Sequence, residues 1–264
     1  MKIAVCIKQV PDTEARLRVS GDGLWVDEQD LAYVINESDV YALEEALTIA
    51  ERTGGEVVVF SLGGDRVREA LRKALALGAA RAVHLNDPAF AGGDASATGR
   101  ALAAALAGDA FDLVLTGSQS DDSGYGSTGS VVAGHLGWPH AWLVMGVEVE
   151  EGGSSARVTR EMESGVNEIA RLSLPAVIEV QAGINTPRYA SLKGIMQAKR
   201  KEIATVGPAD LGLEAGDVGA AAARLETLAV YFPESGEGAQ IFDGDPTECA
   251  RNLVEKLRKE ARVL

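Results

Sequence analysis

The groups best placed for chemistry lie in one stretch, Gly117-Ser118-Gln119-Ser120-Asp121-Asp122-Ser123-Gly124-Tyr125-Gly126-Ser127-Thr128-Gly129. Small residues let backbone N–H groups approach an anion closely. A helix starting at the end of such a loop adds unpaired donors and a partial positive charge. Ser127 and Thr128 add hydroxyls, so the chemistry indicated is binding of a nucleotide phosphate. Gly124 to Gly129 also satisfies the G-x-G-x-x-G pattern, with Glu148 further on, as a nicotinamide-dependent dehydrogenase would require. Against that, those glycines follow the preceding apolar run only after about seven residues instead of at once. A phosphate loop ending in Gly-Lys-Ser/Thr is absent. Asp121-Asp122 could form an acid/base pair, but neighbouring carboxylates in a loop are more often solvated or cap a helix. No Gly-x-Ser-x-Gly elbow accompanies them. A Gly/Ser-rich loop with no ligand is the plainer alternative.

The elements that would carry this loop alternate between strand and helix. Residues 2–7 read as an apolar strand ended by Pro11-Asp12, and 13–35 as irregular with a turn at Gly21-Asp22-Gly23. Asn36, Ser38 and Asp39 offer caps for a helix bearing Val40, Leu43, Leu47 and Ala50 at helical spacing, stopped by Gly54-Gly55. A strand over 56–61 follows. Asp65 is a candidate cap for a helix striped by Val67, Ala70, Leu71, Ala74 and Leu75 and closed by Gly78. Then come strand 81–85, an Ala-rich helix from 94 to about 106, strand 111–116, the loop, and a helix over 128–136. Strands that are apolar throughout signal a parallel sheet covered by helices on both faces. The loop therefore leaves the carboxyl end of a parallel strand, where open α/β sheets bind ligands.

Beyond Pro139 the pattern changes to strands at 141–150, 156–160 and 166–173 joined by turns, then an apolar run over 176–180: a β extension of the same domain. Val166, Ile169 and Leu172 do not alternate cleanly, so the register of that strand stays open. Residues 182–200 read as a loop and a short helix, and 207–219 as linker. The C-terminal segment ends in an amphipathic helix whose face carries Ala250, Leu253, Val254, Leu257 and Ala261. The expected division is an α/β nucleotide-binding domain over 1–206, containing an exposed loop at 184–200, and a linker with a C-terminal arm over 207–264.

Composition narrows the classes. The chain has 264 residues, 46% hydrophobic, and a formal charge of −14, which disfavours nucleic acid as a partner. The aromatic share is 5%, so Ala, Val and Leu must fill the core. No apolar run is long enough to span a membrane, and Met1-Lys2-Ile3-Ala4-Val5-Cys6-Ile7 reads as a strand, not a signal peptide. Two distant cysteines, Cys6 and Cys249, fit a reducing cytoplasm and give no metal-ligand spacing. His84, His135 and His140 do not form a ligand set either.

A longer pattern lies downstream. Arg160-Glu161-Met162-Glu163-Ser164-Gly165, then Leu174-Pro175-Ala176-Val177, then Gly183-Ile184-Asn185-Thr186-Pro187-Arg188-Tyr189-Ala190-Ser191-Leu192-Lys193-Gly194-Ile195-Met196-Gln197-Ala198-Lys199 resembles the signature region of electron-transfer flavoprotein beta subunits. The resemblance extends to Val5-Cys6-Ile7-Lys8-Gln9, to Asn36 with Leu43-Glu44-Glu45-Ala46, and to Trp138-Pro139-His140. The loop 118–129 and Tyr231-Phe232-Pro233-Glu234 are most similar to the branch serving trimethylamine dehydrogenase.

That resemblance implies an electron carrier without a catalytic site of its own. It implies a heterodimer whose alpha subunit holds most of a redox-active FAD, and a structural AMP in this chain. By position, AMP would touch Cys6, Asn36, Leu62, Gly63, Gln119, Asp122, Ser123, Gly124, Tyr125, Gly126, Ser127 and Thr128. Tyr189, Leu192, Ile195 and Met196 would form a recognition loop for the electron-donating dehydrogenase, with Leu192 as apolar anchor. Glu161 matches a residue that loosens the partner's grip. Thr13 and Ser38 stand where some relatives place aromatics beside the flavin. Members that bifurcate electrons hold a second FAD in place of AMP, usually with an Asp-Gly-Asp-Thr-Ala-Gln-Val-Gly loop, from which residues 122–129 depart. A homodimeric nucleotide-binding stress-type protein would share the same core and is the alternative from another class.

Overall fold

The computed structural model describes residues 1–234 and 238–264; part of the expected arm, 235–237, lies outside the described residues. The chain forms two compact units, Met1–Arg18 with Glu28–Leu228, and Val19–Asp27 with Ala229–Leu264.

The first unit follows the alternating pattern. Strand β1 (Lys2–Cys6) leads through a small antiparallel pair, β2 (Gln9–Pro11) and β3 (Tyr33–Ile35), to helix α1 (Glu37–Thr53). Then come β4 (Glu56–Leu62), α2 (Val67–Leu77), β5 (Arg81–Leu85), α3 (Ala95–Ala107), β6 (Leu113–Gly117), α4 (Thr128–Leu136) and β7 (His140–Val149). The antiparallel strands β8 (Ser155–Glu161) and β9 (Asn167–Ser173) extend the sheet, and β10 (Ala176–Val180), α5 (Leu192–Ala198), β11 (Ile203–Val206) and a short α6 (Gly219–Ala222) complete the unit. Among the described residues nine strands form one sheet in the order β11-β5-β4-β1-β6-β10-β7-β8-β9, parallel from β11 to β7.

Because side chains alternate along a strand, the apolar strands feed two cores. Ile3, Val5, Val57, Val59, Leu113 and Leu115 pack under α1 and α2. Ala4, Val58, Phe60, Val114 and Val177 pack under α3 and α4 with Leu102 and Leu106. Leu43, Ile49, Leu71 and Leu106 are among the largest fully buried side chains. Burying each contributes roughly 1.5–3 kcal/mol before the entropy of ordering is counted. Gly54, left-handed at φ 65°, ends α1 with its N–H on the Ala50 carbonyl.

Several local expectations are corrected. Asp65 does not cap α2; its carboxylate accepts from the Asn86 amide at 2.7 Å, and Arg66 stands at the cap position without a side-chain bond to the helix. Asn36 is at the cap of α1, yet its side chain bonds Ser38 and another loop and caps no backbone N–H of the helix. Val166 falls before β9, after a 3-10 turn at Glu163–Gly165. Strand β11 was not anticipated: Ile203-Ala204-Thr205-Val206 is short, and only pairing with β5 identifies it. The stretch read as linker holds 3-10 turns at Ala209–Leu211 and Ala215–Asp217 and stays within the first unit.

In the second unit, an isolated bridge joins Val19 and Val26, and the Val230 N–H donates to the Gly23 carbonyl at 2.7 Å. Helix α7 (Pro246–Lys256) is capped by Asp245, whose carboxylate accepts from Thr247 and Glu248, and it runs into one π turn at Leu257–Ala261. Leu253 and Val254, on its apolar face, are nearly half exposed. Among the described residues, no helix is long and apolar enough to cross a membrane.

Candidate functional site

The connections from β1 and β6 depart to opposite faces of the sheet: α1 lies over one core, α4 over the other. The carboxyl ends of these adjacent strands therefore border a crevice at a topological switch point. Residues 118–127 fill its rim.

The rim is tied down by side chains from the start of α1. Asp39, buried in the first turn, accepts from the Lys8 N–H at 2.7 Å and from the Gly117 N–H at 2.9 Å. One carboxylate thus joins the ends of β1 and β6. Burial pushes this carboxyl up to about 7, against the opposing pull of those two donors. Asn36 donates to the Gln119 carbonyl at 2.9 Å and accepts from the Asp121 N–H at 2.8 Å. Ser38 donates to the same Gln119 carbonyl at 2.8 Å. Asp121 in turn accepts from the Glu37 N–H at 3.2 Å, closing the start of α1.

Lys8 crosses the crevice. Its ammonium donates to Asp122 at 2.6 Å, to Ser123 at 3.0 Å and to Ser120 at 3.4 Å. Burial opposes ionisation of Asp122, but the Lys8 charge and hydrogen bonds outweigh it and hold the carboxyl below its ordinary value. Asp121-Asp122 is therefore a structural pair, one member bound to backbone and the other to a cation. Gly124 and Gly126 take left-handed φ of 63° and 58°, which bulky residues resist. Ser127 makes no side-chain cap to α4, so the first-turn N–H groups of that helix keep no partner within it. Gly129 lies against Glu179: a Cβ there would come 2.6 Å from the buried carboxyl carbon. Glu179 is held by Ser130 at 2.7 Å and His140 at 2.6 Å.

A polar cleft of about 550 Å³ opens beside this loop, lined by Thr13, Glu37, Ser38, residues 119–124, Gln181 and Ala182. The expected nucleotide contacts fall into groups. Gln119, Asp122, Ser123 and Gly124 line the cleft, and Asn36 is bonded to the loop. Tyr125, Gly126, Ser127 and Thr128 continue the loop into α4 outside that lining. Cys6 ends β1 between Phe60 and Thr116; burial first and the Asp39 charge second push its thiol up to about 12. Leu62 and Gly63 end β4 at the same edge of the sheet, with the Gly63 carbonyl bonded to His84 at 2.8 Å. Sequence reasoning overlooked Lys8 and Asp39 as site residues. A lysine immediately after an apolar strand and a carboxylate in the first turn of the following helix were the available signals.

The expected partner residues are on α5 and the segment before it. Tyr189 is 98% exposed, Leu192 83%, Met196 67% and Ile195 42%. Ser191 caps α5 by accepting from the Gly194 N–H at 3.0 Å. Glu161 stands apart, at the end of β8 opposite Asn167.

Comparison with known proteins gives a consistent picture. Residues 23–211 match the model of the electron transfer flavoprotein domain. The chain is 44% identical over 257 residues to the electron transfer flavoprotein subunit beta of Methylophilus methylotrophus, covering 97% of each. It is 36% identical to that of Thermoanaerobacterium thermosaccharolyticum, over 97% of this chain and 98% of the relative. Against that of Bacillus subtilis it is 32% identical over the full length of both.

Proposed function

The chain belongs to the electron transfer flavoprotein family, and on that premise we propose that it is the smaller subunit of a heterodimeric electron carrier of the cytoplasm. The observation that carries this reading is likeness to beta subunits along nearly the whole of both chains. In this reading an alpha subunit holds most of an FAD, which supplies the redox chemistry, and dehydrogenases deliver the electrons. The present chain binds, orients and excludes water, without a catalytic site of its own.

AMP is the ligand proposed for this chain. The arrangement around α4 supports a phosphate: uncapped first-turn donors and left-handed Gly124 and Gly126. Of the nearby carboxylates, Asp122 is paired with Lys8, and Glu179 is hydrogen-bonded to Ser130 and His140 through one of its oxygens. Cys6, Asn36, Leu62, Gly63 and residues 119–128 would enclose the rest of the nucleotide. Leu192, with Tyr189, Ile195 and Met196, is the proposed anchor for the dehydrogenase, and Glu161 the proposed moderator of grip. The C-terminal arm is proposed to dock on the alpha subunit.

The test is to co-express the chain with its large subunit, purify the complex, denature it and measure the released nucleotides. Release of about one FAD and one AMP per heterodimer supports the reading, since each bound nucleotide stabilises only the folded complex. About two FAD without AMP would make it a bifurcating member instead.

A further inference from the structure

The segment from 189 to 196 is short and mostly apolar, and it rests on α2 while Tyr189, Leu192 and Met196 stay exposed. A seven-residue helix such as α5 does not hold together in water unaided. Yet it is folded here, and the reason lies in what grips its two ends.

At the entry, Arg188 lies across two carboxylates one heptad apart on α1. Its Nε donates to Glu44 at 2.9 and 3.1 Å, and its Nη2 to Glu44 at 2.9 Å and to Glu51 at 3.2 Å. Its Nη1 donates to Glu51 at 2.5 Å, and its backbone N–H to Glu44 at 3.1 Å. Glu44 is buried, so this is a fork on a mostly desolvated carboxylate, the strong form of an ion pair. One step earlier, Asn185 donates to Glu45 at 3.0 Å and to the Tyr41 carbonyl at 3.1 Å. At the exit, Arg72 on α2 donates to the carbonyls of Ala198 and Lys201, the latter at 2.6 Å. It thereby binds the carbonyl at the end of α5 and one in the turn that follows. Lys201 reaches back to the Ala79 carbonyl at 2.5 Å. Between the two, Gly194 lets α5 lie directly on α2: a Cβ would overlap the Ala76 carbonyl oxygen.

We propose that Arg188 and Arg72 are positioning residues that keep residues 189–196 folded before any partner arrives, so that docking meets a preformed apolar knob. This rests on the docking role given to Leu192 above. Its consequence is that the partner need not supply the ordering of this loop, a cost that otherwise subtracts from affinity. A receptor suited to such a knob is a preshaped apolar cleft, not a surface that wraps a flexible peptide. Arginine is required at position 188 because only its planar fork serves two carboxylates at once.

The experiment is amide hydrogen exchange on the purified heterodimer without donor, comparing wild type with Arg188→Gln, Arg188→Lys and Arg72→Gln. Exchange over residues 189–198 should accelerate about tenfold or more in both Gln variants, by local opening. Strands β1, β4 and β6 should keep their protection. Arg188→Lys should recover part of the lost protection, because one charged donor to Glu44 remains; a merely space-filling arginine would show no such recovery. Unchanged exchange in Arg188→Gln, or acceleration spread evenly over the whole unit, overturns the proposal. The docking reading fails separately: normal electron transfer by Leu192→Ala, with the arginine variants still loosening the segment, removes the partner and leaves only a structural clamp.

Discussion

Asp39 and Gly117 are joined by a 2.9 Å hydrogen bond that ties the first turn of α1 to the carboxyl end of β6. With the matching bond from the Lys8 N–H, it makes one buried side chain the link between the two strand ends that border the crevice.

The tie leaves no room for a side chain at position 117. A Cβ on Gly117 would overlap Ser38 Oγ and Asp39 Oδ1 and stand 2.9 Å from the Asp39 nitrogen. Gly117→Ala is expected to destabilise the protein by about 1–3 kcal/mol, the usual range for overpacking. Denaturant titration measures this; a variant as stable as wild type would show that the tie yields freely.

Asp39 also sets a pH dependence. Its carboxyl is raised to about 7 in the fold from the ordinary 3.8. Between these values the unfolded chain has released a proton that the folded chain retains, so stability falls as pH rises through this window. The contribution is fully present below the lower value and lost above the higher. Asn in place of Asp39 imitates the protonated form. Asp39→Asn should therefore gain on wild type as pH rises from about 4 to about 7. Denaturant titrations at several pH values decide it, and a constant difference would mean that Asp39 is ionised throughout.

Asp94 holds two segments at once. It caps α3 by accepting from the Ala97 N–H at 2.9 Å and accepts from the N–H groups of Arg224 and Leu225 at 2.7 and 3.1 Å. Burial opposes ionisation, yet these donors keep the carboxyl below its usual value. Its contribution is thus present above the unfolded-state value and is lost as pH falls through the lower folded one. Asp94→Ala should cost about 1–2 kcal/mol through the lost cap. It should also open the chain near residue 224 to protease; cleavage and stability both as in wild type would refute the role.

Leu192 should matter to transfer and not to nucleotide. Leu192→Ala removes most of an apolar side chain that is 83% exposed, so stability should change by less than about 0.5 kcal/mol. Stopped-flow flavin reduction by the donor dehydrogenase should slow, while AMP content of the heterodimer stays constant. Unaltered transfer kinetics would remove Leu192 from the proposed docking site.

Much of the fold is visible in the chain because its signals are local and repeated. All-apolar strands separated by helices striped at Val67, Ala70, Leu71, Ala74 and Leu75 leave few arrangements other than a covered parallel sheet. Gly54 and Gly78 punctuate helices by backbone conformation alone. Strand β11 was missed because four residues at a sheet edge carry too little pattern, and its identity comes from pairing with β5. Asp65 was misread because a carboxylate before a helix can bond forward to the helix or sideways, and Asn86 offered the sideways partner.

The sequence by itself determined the layered α/β order, the position of a small-residue loop after a parallel strand, and the family. These depend on periodicity and on long matching segments, both written along one dimension. Only the tertiary structure decided which polar groups meet: Lys8 with Asp122, Asp39 with Gly117, Arg188 with Glu44 and Glu51. Those partners lie from 78 to 144 positions apart. The pairing follows from the need to satisfy buried charge and open backbone groups once the strands have brought distant segments together.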